Sequence, residues 1–513
     1  MTTPLERKLC TADQAIAHIA DGRTVATGGF VGAAVPEALL SAIERRFTNT
    51  ASPRDLTVVY AAGQGDGEVR GINHFAHEGL IKRIVGGHWG LVRRAGALAI
   101  EGKIEAYNFP QGVICQLVRD IAAGRPGCIT HVGLDTFIDP IHDGGRINSR
   151  STEALVERIE LGGKTWLWYK AFPIHIALIR GSAADPLGNL IMTEEAIIGE
   201  GLPLAQAAHN CGGIVIAQVK RVLDQPAPPH MVRVPGVLID HIVVADEKEH
   251  PQTFGDSFNE AFCAPSQTVE TDCSSIAPLP LDDRKIIAAR ALAELPEGAI
   301  ANLGIGMPEG IARVAAERGL INHFTLTVES GPIGGMPAGG LSFGASVHPH
   351  AIVDQPSQFD FYDGRGLDFA ALGAAQIDAD GNVNVSRFGT RLAGVGGFVN
   401  ITQNAKRLVF CGTFTAGGLE VAVEDGELRI VREGKVRKFI EQVEQVSFAG
   451  TRARKREQPV LYVTERAVFR LVDGGIELIE VAPGIDIDRD VLGQMAFKPI
   501  VRDVKAMPAD VFA

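Results

Sequence analysis

A chain of 513 residues is too long for one hydrophobic core, so at least two domains are expected. Its 46% hydrophobic residues and 59 glycines fit a soluble globular protein with many loops. Its net charge of -12 excludes a general nucleic-acid binder, which needs an extended basic surface, and leaves room only for a local basic pocket.

The first residues, MTTPLERKLCTADQ, hold no apolar stretch of the kind a secretory signal needs, so a cytoplasmic location is expected. The uncharged runs 201–219 and 330–353 are rich in glycine and polar residues, unlike a bilayer span, so no membrane partner is expected. The cysteines are Cys10, Cys115, Cys128, Cys211, Cys263, Cys273 and Cys411. None forms a CxxC pair, and the pattern suits free thiols in a reducing compartment.

Residues 12–60 read helix, strand, glycine turn, helix, strand. Ala12 to Ile19 is a short helix and Thr24 to Ala26 a strand. GGFVGAAVPEALLSAIERRF supplies a glycine turn and an amphipathic helix. Leu56 to Tyr60 is a strand that ends in AAGQGDG. Strands alternating with helices imply parallel sheets covered by helices. The same order returns from Ile286. Gly22 and Gly28 match Gly298 and Gly304, Pro36-Glu37 matches Pro308-Glu309, and LTVVYAAGQGDG matches FTLTVESGPIGG. DPLGNL matches DADGNVNV, and NCGGIVIAQV matches NAKRLVFCGT. The fold expected is two tandem, similar, open α/β domains. Their spans are 1–246 and 284–513, joined by a polar linker at 247–283. The first half is much longer between Gly67 and Asp185 than the second is between Gly335 and Asp378, so an added excursion is expected near 90–163. After Ala416 the pattern alternates: LEVAVEDGELRIV, EQVSFAG and PVLYVTERAVFRLVDGGIELIEV read as strands, with hairpins at Asp425-Gly426 and Asp473-Gly474. Ile485 to Val491 resembles a helix start. The run RARKR, 452–456, reads as a solvated charged turn.

The stretch FTLTVESGPIGGMPAGG, 324–340, is the one the others are arranged around. Leu326 and Val328 alternate with threonines in a strand, which ends at Glu329. Ser330 to Gly340 is then a glycine- and proline-rich loop. A carboxylate at the carboxyl end of a strand stands where open α/β sheets place ligands. A solvated glutamate at an ordinary junction would look the same, but the repeat argues otherwise. Glu329 aligns with Ala61, and a group needed only to finish the strand would not be confined to one copy. No metal is expected: Asp354, Asp360, Asp363, His323, His348 and His350 lack the spacing of a zinc or magnesium site. A carboxylate nucleophile on an acyl compound gives an anhydride, which keeps acyl energy where water is excluded. Gly396-Gly397 could present N–H donors to an oxyanion or form a tight turn. Gln64 in GQGDG, and Asn108 and Gln111 in NFPQG, could bind a substrate carboxylate or cap turns. There is no P-loop, and GGFVGAAVPE lacks the dinucleotide-binding spacing.

The GGF near the start, LGIGMPEGIA, VESGPIGG, GGFVNITQNAK and VFCGTFTAGGLEV together resemble the family I coenzyme A transferases, in the single-chain acetate/propionate or 3-ketoacid branch. The resemblance covers essentially the whole chain. It implies two halves of one α/β fold and Glu329 as the catalytic carboxylate. It also implies backbone donors at Gly396 or Gly397, and a pantetheine channel lined by the loop from Gly331 to Gly340. Gly63, Gln64, Asn108, Gln111, Gly304, Gly306, Gly331, Gly334, Gly335 and Asn400 are the positions it offers for substrate and CoA. It implies coenzyme A as a substrate and no resident cofactor. The partners it implies are an acyl-CoA and a short-chain carboxylate such as acetate, propionate, butyrate or acetoacetate. A homo-oligomer is the usual state of such large α/β enzymes. Ser330 departs from the Asn or Pro that many relatives have after the glutamate, which leaves substrate preference open. A transferase for hydroxy-, branched or dicarboxylic acids, an acyl-CoA hydrolase, and a non-catalytic metabolite-binding protein of the same fold remain the alternatives.

Overall fold

The computed structural model describes residues 3–265 and 277–513. Cys273 and the middle of the expected linker lie outside the described residues, and the other six cysteines are free thiols. Among the described residues, no helix is long and apolar enough to cross a membrane.

The first half runs α1 (Ala12–Ile16), β1 (Thr24–Thr27), α2 (Glu37–Thr50), β2 (Leu56–Tyr60), β3 (Ile81–Gly86), α3 (Arg93–Ile100), β4 (Glu105–Asn108) and α4 (Gln111–Ala122). There follow β5 (Gly127–Thr130), β6 (Val156–Leu161), β7 (Lys164–Lys170), β8 (Ile176–Ala184), β9 (Leu190–Ile191), α5 (Gly201–Asn210), β10 (Ile214–Val222), β11 (Val232–Val234) and β12 (His241–Val244). Local chemistry explains several boundaries. Thr11 and Gln14 close a capping box on α1, each bonding the other's backbone N–H. Leu39, Leu40 and Ile43 bury one face of α2 against Leu56, Val58 and Tyr60 of β2 in a shared core.

The second half adds α6 (Asp283–Leu292), β13 (Ile300–Leu303), α7 (Glu309–Glu317), β14 (Thr325–Thr327), β15 (Pro332–Ile333), β16 (Met336–Pro337), β17 (Ser346–Val347), β18 (Ala351–Ile352), α8 (Gln355–Asp363) and β19 (Phe369–Gly373). It continues through α9 (Phe398–Asn404) and α10 (Gly450–Lys455), with further strands at Leu408–Cys411, Val460–Val463, Ala467–Val472, Gly475–Val481 and Ile500–Ala506.

The chain forms two compact units. The first comprises Met1–Ser266 with Val328–Asp360 and Leu392–Asn400; the second comprises Gln267–Thr327, Phe361–Arg391 and Ile401–Ala513. In the first unit seven parallel strands run β12-β10-β8-β1-β2-β3-β4. Strand β1 is buried at every position, as a central parallel strand covered on both faces must be. The order places β2 on one side of β1 and β8 on the other, so the switch point of the sheet lies between β1 and β8. The longer stretch of the first half supplies α4 and a separate antiparallel sheet, β5-β7-β6. The second unit repeats the plan. Strands β14, β13, β19, 408–411 and 460–463 are parallel, and three further strands extend the sheet. In register, Val25 of β1 lies between Val58 and Ile176, and Ala301 of β13 lies between Leu326 and Phe369.

Three readings of the sequence need correction. The run from Ser330 is not plain loop. Strands β15 and β18 pair antiparallel, as do β16 and β17; Pro337 fits because a two-stranded ribbon leaves N–H positions unused. EQVSFAG forms no strand: the Ser447 and Phe448 N–H groups both converge on the Val383 carbonyl, and α10 begins at Gly450. RARKR is not a solvated turn. It lies largely in α10, where Arg454 donates to the Asp380 carbonyl, and Arg456 just beyond donates to the Gln403 carbonyl. The expected helix start near 485–491 is present, as a π turn at Ile487–Val491 capped by the Asp486 carboxylate.

Candidate active site

Glu329 begins a tight turn in the first unit. The Val328 N–H donates to the Pro332 carbonyl and the Gly331 N–H returns to the Val328 carbonyl, so Glu329 and Ser330 stand at its apex. Glu329 is 9% exposed and Ser330 fully buried. The Ser330 hydroxyl donates to the Gly344 carbonyl at 2.5 Å, which fixes the turn from its far side. Gly331 has φ +127°, and a Cβ there would meet the Val353 carbonyl oxygen at 2.1 Å; only glycine lets the two strands of this hairpin approach so closely. Gly334 backs onto His350, and Gly335 onto the Val347 carbonyl.

The GGF loop after β1 reaches the same place. Phe30 packs on Phe343 with ring centroids 5.6 Å apart, in a buried cluster that includes Val31, Ala62, Ala196, Ile197, Val328 and Ala345. Val328 is the residue before Glu329. The loop is held from below by Arg180 of β8, which donates to the Val35 carbonyl at 3.2 Å and pairs with buried Glu195. Burial alone would raise the Glu195 carboxyl; Arg180 and then His250 outweigh it and hold the group down at about 2.

The segment Leu392–Asn400 docks on the start of α4, also within the first unit. Asn108 accepts from the Val395 N–H through Oδ1 and donates to the Gly86 and Gly87 carbonyls through Nδ2. The Gln111 N–H donates to the Gly396 carbonyl, and the Asn400 Oδ1 accepts from the Gly112 N–H at 3.2 Å. The two glycines therefore differ. The Gly396 N–H donates to the Gly87 carbonyl at 2.8 Å, whereas the Gly397 N–H has no partner among the described residues. Gly397 is the member of the pair still able to offer a donor.

The polar residues expected to meet substrate also divide. Gln64 is fully engaged, its Nε2 on the Thr27 carbonyl and its Oε1 taking the Thr27 hydroxyl. Asn108 is engaged likewise. Gln111 is different: its Nε2 is buried without a partner. Gly63 lies against His88, and Asn400 holds α4. Gly304 and Gly306 follow β13 in the second unit. Among the described residues, no group of three or more His, Cys, Asp or Glu side chains is placed to hold a metal ion.

Two features escaped the sequence. Glu200, before α5, is 2% exposed with neither carboxyl oxygen partnered. Its only signal is a lone charge between Gly199 and Gly201 at the margin of an apolar run. The second is a cavity of about 450 Å³ beside the hairpin, with Ile198, His230, Arg233, Cys263, His350 and Ile352 in its wall. Its His230 and Arg233 come from one segment and His350 from the hairpin far along the chain, with no shared sequence pattern.

Residues 10–245 match the family described as coenzyme A transferase. The chain is 42% identical over 506 residues to "Acetate CoA-transferase YdiF" of Escherichia coli (strain K12), covering 98% of this chain and 94% of that protein. It is 43% identical over 514 residues to "Caffeate CoA-transferase" of Acetobacterium woodii, covering 99% of this chain and 97% of that one. The crystal structure of the acyl-CoA transferase YdiF from E. coli O157:H7, a thioester complex with CoA, superposes with a TM-score of 0.93 at 40% identity, covering 99% of this chain and 96% of that chain. The chain belongs to the family I coenzyme A transferases.

Proposed function

We propose that the protein moves coenzyme A between a short-chain acyl-CoA and an acceptor carboxylate through a thioester on Glu329. The Glu329 carboxylate attacks the thioester carbonyl, the C–S bond breaks, and the CoA thiolate leaves an acyl-glutamyl anhydride. The thiolate then attacks the glutamyl carbonyl, so the first acid departs as a carboxylate and CoA is held on Glu329. An acceptor carboxylate reverses these steps. The thioester energy stays on the protein throughout, so no nucleotide is needed. The Gly397 N–H is the backbone donor offered to the oxyanion. The site's buried setting excludes water that would otherwise hydrolyse the anhydride.

One observation carries this reading: a carboxylate stands at the apex of a turn locked by Ser330 and Gly331, in the half of the repeat that alone has it. The relative solved as a thioester complex with CoA supports it. The acyl class is read as short, in the range acetate, propionate, butyrate or acetoacetate, because Phe30 and Phe343 fill the space beside Val328. A similarly close relative is named for caffeate, so an aryl acid is the second reading. The cavity with Arg233, His230 and His350 suits the phosphates of coenzyme A.

The test is intact-protein mass after brief incubation with acetyl-CoA or propionyl-CoA and no acceptor. A CoA-sized adduct that added acetate discharges, and that Glu329→Gln cannot form, is the expected result. No adduct on folded, unaltered protein with any short or aryl acyl-CoA would remove Glu329 from the nucleophile's role. Product assays with and without acceptor separate a transferase from a hydrolase.

A further inference from the structure

Glu200 is the most exceptional buried group that the steps above do not use. Burial pushes its carboxyl up to about 8; its own N–H and that of Gly29 oppose this only in part. A carboxyl in this state is an acid that can donate a hydrogen bond, and beyond those two N–H groups neither of its oxygens has a partner among the described residues.

Its position is fixed by three contacts. First, a Cβ on Gly28 would lie 3.9 Å from the Glu200 carboxyl carbon, so the group stands at the end of β1, on the switch point between β1 and β8. Open α/β sheets bind ligands at that crevice. Second, the glycine loop it touches leads within two residues to Phe30, which packs with Phe343 and Val328 at the Glu329 turn. Third, the Gly199 carbonyl accepts from the Gln355 N–H at 3.1 Å, and two residues earlier Val353 is bonded to Gly331 of the same turn. Glu200 is thus tied to both sides of the segment that presents Glu329.

Among the described residues, the charges on the neighbouring elements are engaged elsewhere. Strand β8 brings Arg180, already paired with Glu195 and the Val35 carbonyl; His250 completes that pair. Strand β10 brings Lys220 and Arg221, both paired with Glu194. Strand β11 brings Arg233, which faces the cavity instead. Helix α4 brings Cys115, held by the Gln355 amide at 3.1 Å, and α8 brings only the neutral Gln355 and Gln358 to this side. An acceptor acid enters as an anion, and a neutral acid can donate a hydrogen bond to it.

We infer that Glu200 is a binding residue for the acceptor: its carboxyl O–H donates to one oxygen of the incoming carboxylate, beside the Gly29 N–H, and so sets the enzyme's affinity for the acid rather than for acyl-CoA. Hydrogen bonds from an acid to a carboxylate are short and strong, and a carboxylic acid kept neutral to act as a donor is a known catalytic device. The inference rests on the glutamyl-thioester reading.

The experiment isolates the second half of the reaction. Protein loaded with CoA from acetyl-CoA is freed of small molecules, then discharged with increasing acetate between about pH 6 and 9.5. The bound thioester has no thiol to titrate, and acetate, like other carboxylic acids with pKa near 4, is ionised throughout. The sign follows: below about 8 Glu200 donates, and above it the ionised group repels the acceptor. The half-saturating acetate concentration of the unaltered protein should rise about tenfold per pH unit above that point, with little change in the saturating rate. Glu200→Gln, which keeps an N–H donor, should lose the rise and stay within about threefold of the low-pH value. Glu200→Ala should raise the half-saturating concentration about tenfold or more at every pH while still loading CoA. A Gln variant that keeps the rise, or an Ala variant with unchanged half-saturation, overturns the inference alone. Absence of any adduct on the unaltered protein overturns the glutamyl-thioester reading, and this inference with it.

Discussion

The two halves of the chain end the strands β2 and β14 differently, yet their turns at Asp185 and Asp378 agree atom for atom. After β8, the Asp185 carboxylate accepts the Leu187 and Asn189 N–H groups and the Asn189 amide, while the Asn189 Oδ1 accepts from the Gly236 N–H. After β19, Asp378 accepts the Asp380 and Asn382 N–H groups and the Asn382 amide, while the Asn382 Oδ1 accepts from the Gly450 N–H. Gly188 at φ +79° and Gly381 at φ +76° occupy the same left-handed turn position. Against this, buried Ala61 follows β2 where Glu329 follows β14. The duplicated side chains build the scaffold, and on the function proposed above the unduplicated one supplies the chemistry.

That contrast is broken most sharply at Glu329. Glu329→Gln should lower kcat by at least about 10⁴-fold, since a removed nucleophile cannot be replaced by binding alone. Adding Ala61→Glu to that variant should restore nothing, measured as CoA transfer and as adduct mass. Recovery of activity there would show that the first half retains a working site of its own.

The scaffold side of the comparison predicts the reverse pattern. Asp185→Ala and Asp378→Ala each strand several partly buried N–H groups, and each should cost about 2–4 kcal/mol of stability. Thermal unfolding should fall to a similar extent in both, with kcat per folded molecule unchanged at a temperature where each is native. A large loss of kcat in either folded variant would mean the duplicated turns serve the chemistry after all.

Between these extremes lies Gly331. A methyl group there meets the Val353 carbonyl oxygen, so Gly331→Ala must shift the turn that presents Glu329. Misplacing a reacting group by about 1 Å costs about 10²-fold, so kcat should fall by that factor while the carboxylate remains. Adduct formation from acyl-CoA should slow equally. An unaffected rate would show that Ser330, rather than the glycine, sets the position of Glu329.

How much of this was legible depends on whether the partner is near in sequence. The tandem fold was, because its turns are local: an Asp, a Gly and an Asn within five residues define each one. The placement of Glu329 just past a strand was, and the repeat set it against Ala61 as an internal control. The engagement of Gln64 and Asn108 was not. Both look like substrate ligands in polar glycine loops, yet Gln64 bonds Thr27 and Asn108 bonds Gly86, Gly87 and Val395. Those partners are brought in by strand order, which periodicity does not reveal. The same holds for Gly396, whose N–H is taken by Gly87, and for Glu200, whose burial depends on β1 and α8 meeting α5.

The smallest effect separates binding of the distant end of coenzyme A from the chemistry at Glu329. Arg233, His230 and His350 line one cavity, and none has an ionic partner among the described residues. Arg233→Gln removes one solvent-screened cation from a phosphate site, which is worth about 0.5–1 kcal/mol. KM for acyl-CoA should therefore rise about two- to fivefold with kcat unchanged, and the effect should shrink at high salt. Dephospho-CoA thioesters refine the assignment. If Arg233 holds the 3′-phosphate, the variant and the unaltered protein converge on them; if it holds the diphosphate, the gap persists. An unchanged KM at low salt would assign the cavity no part in CoA binding, leaving the glutamate turn and the GGF loop to account for recognition.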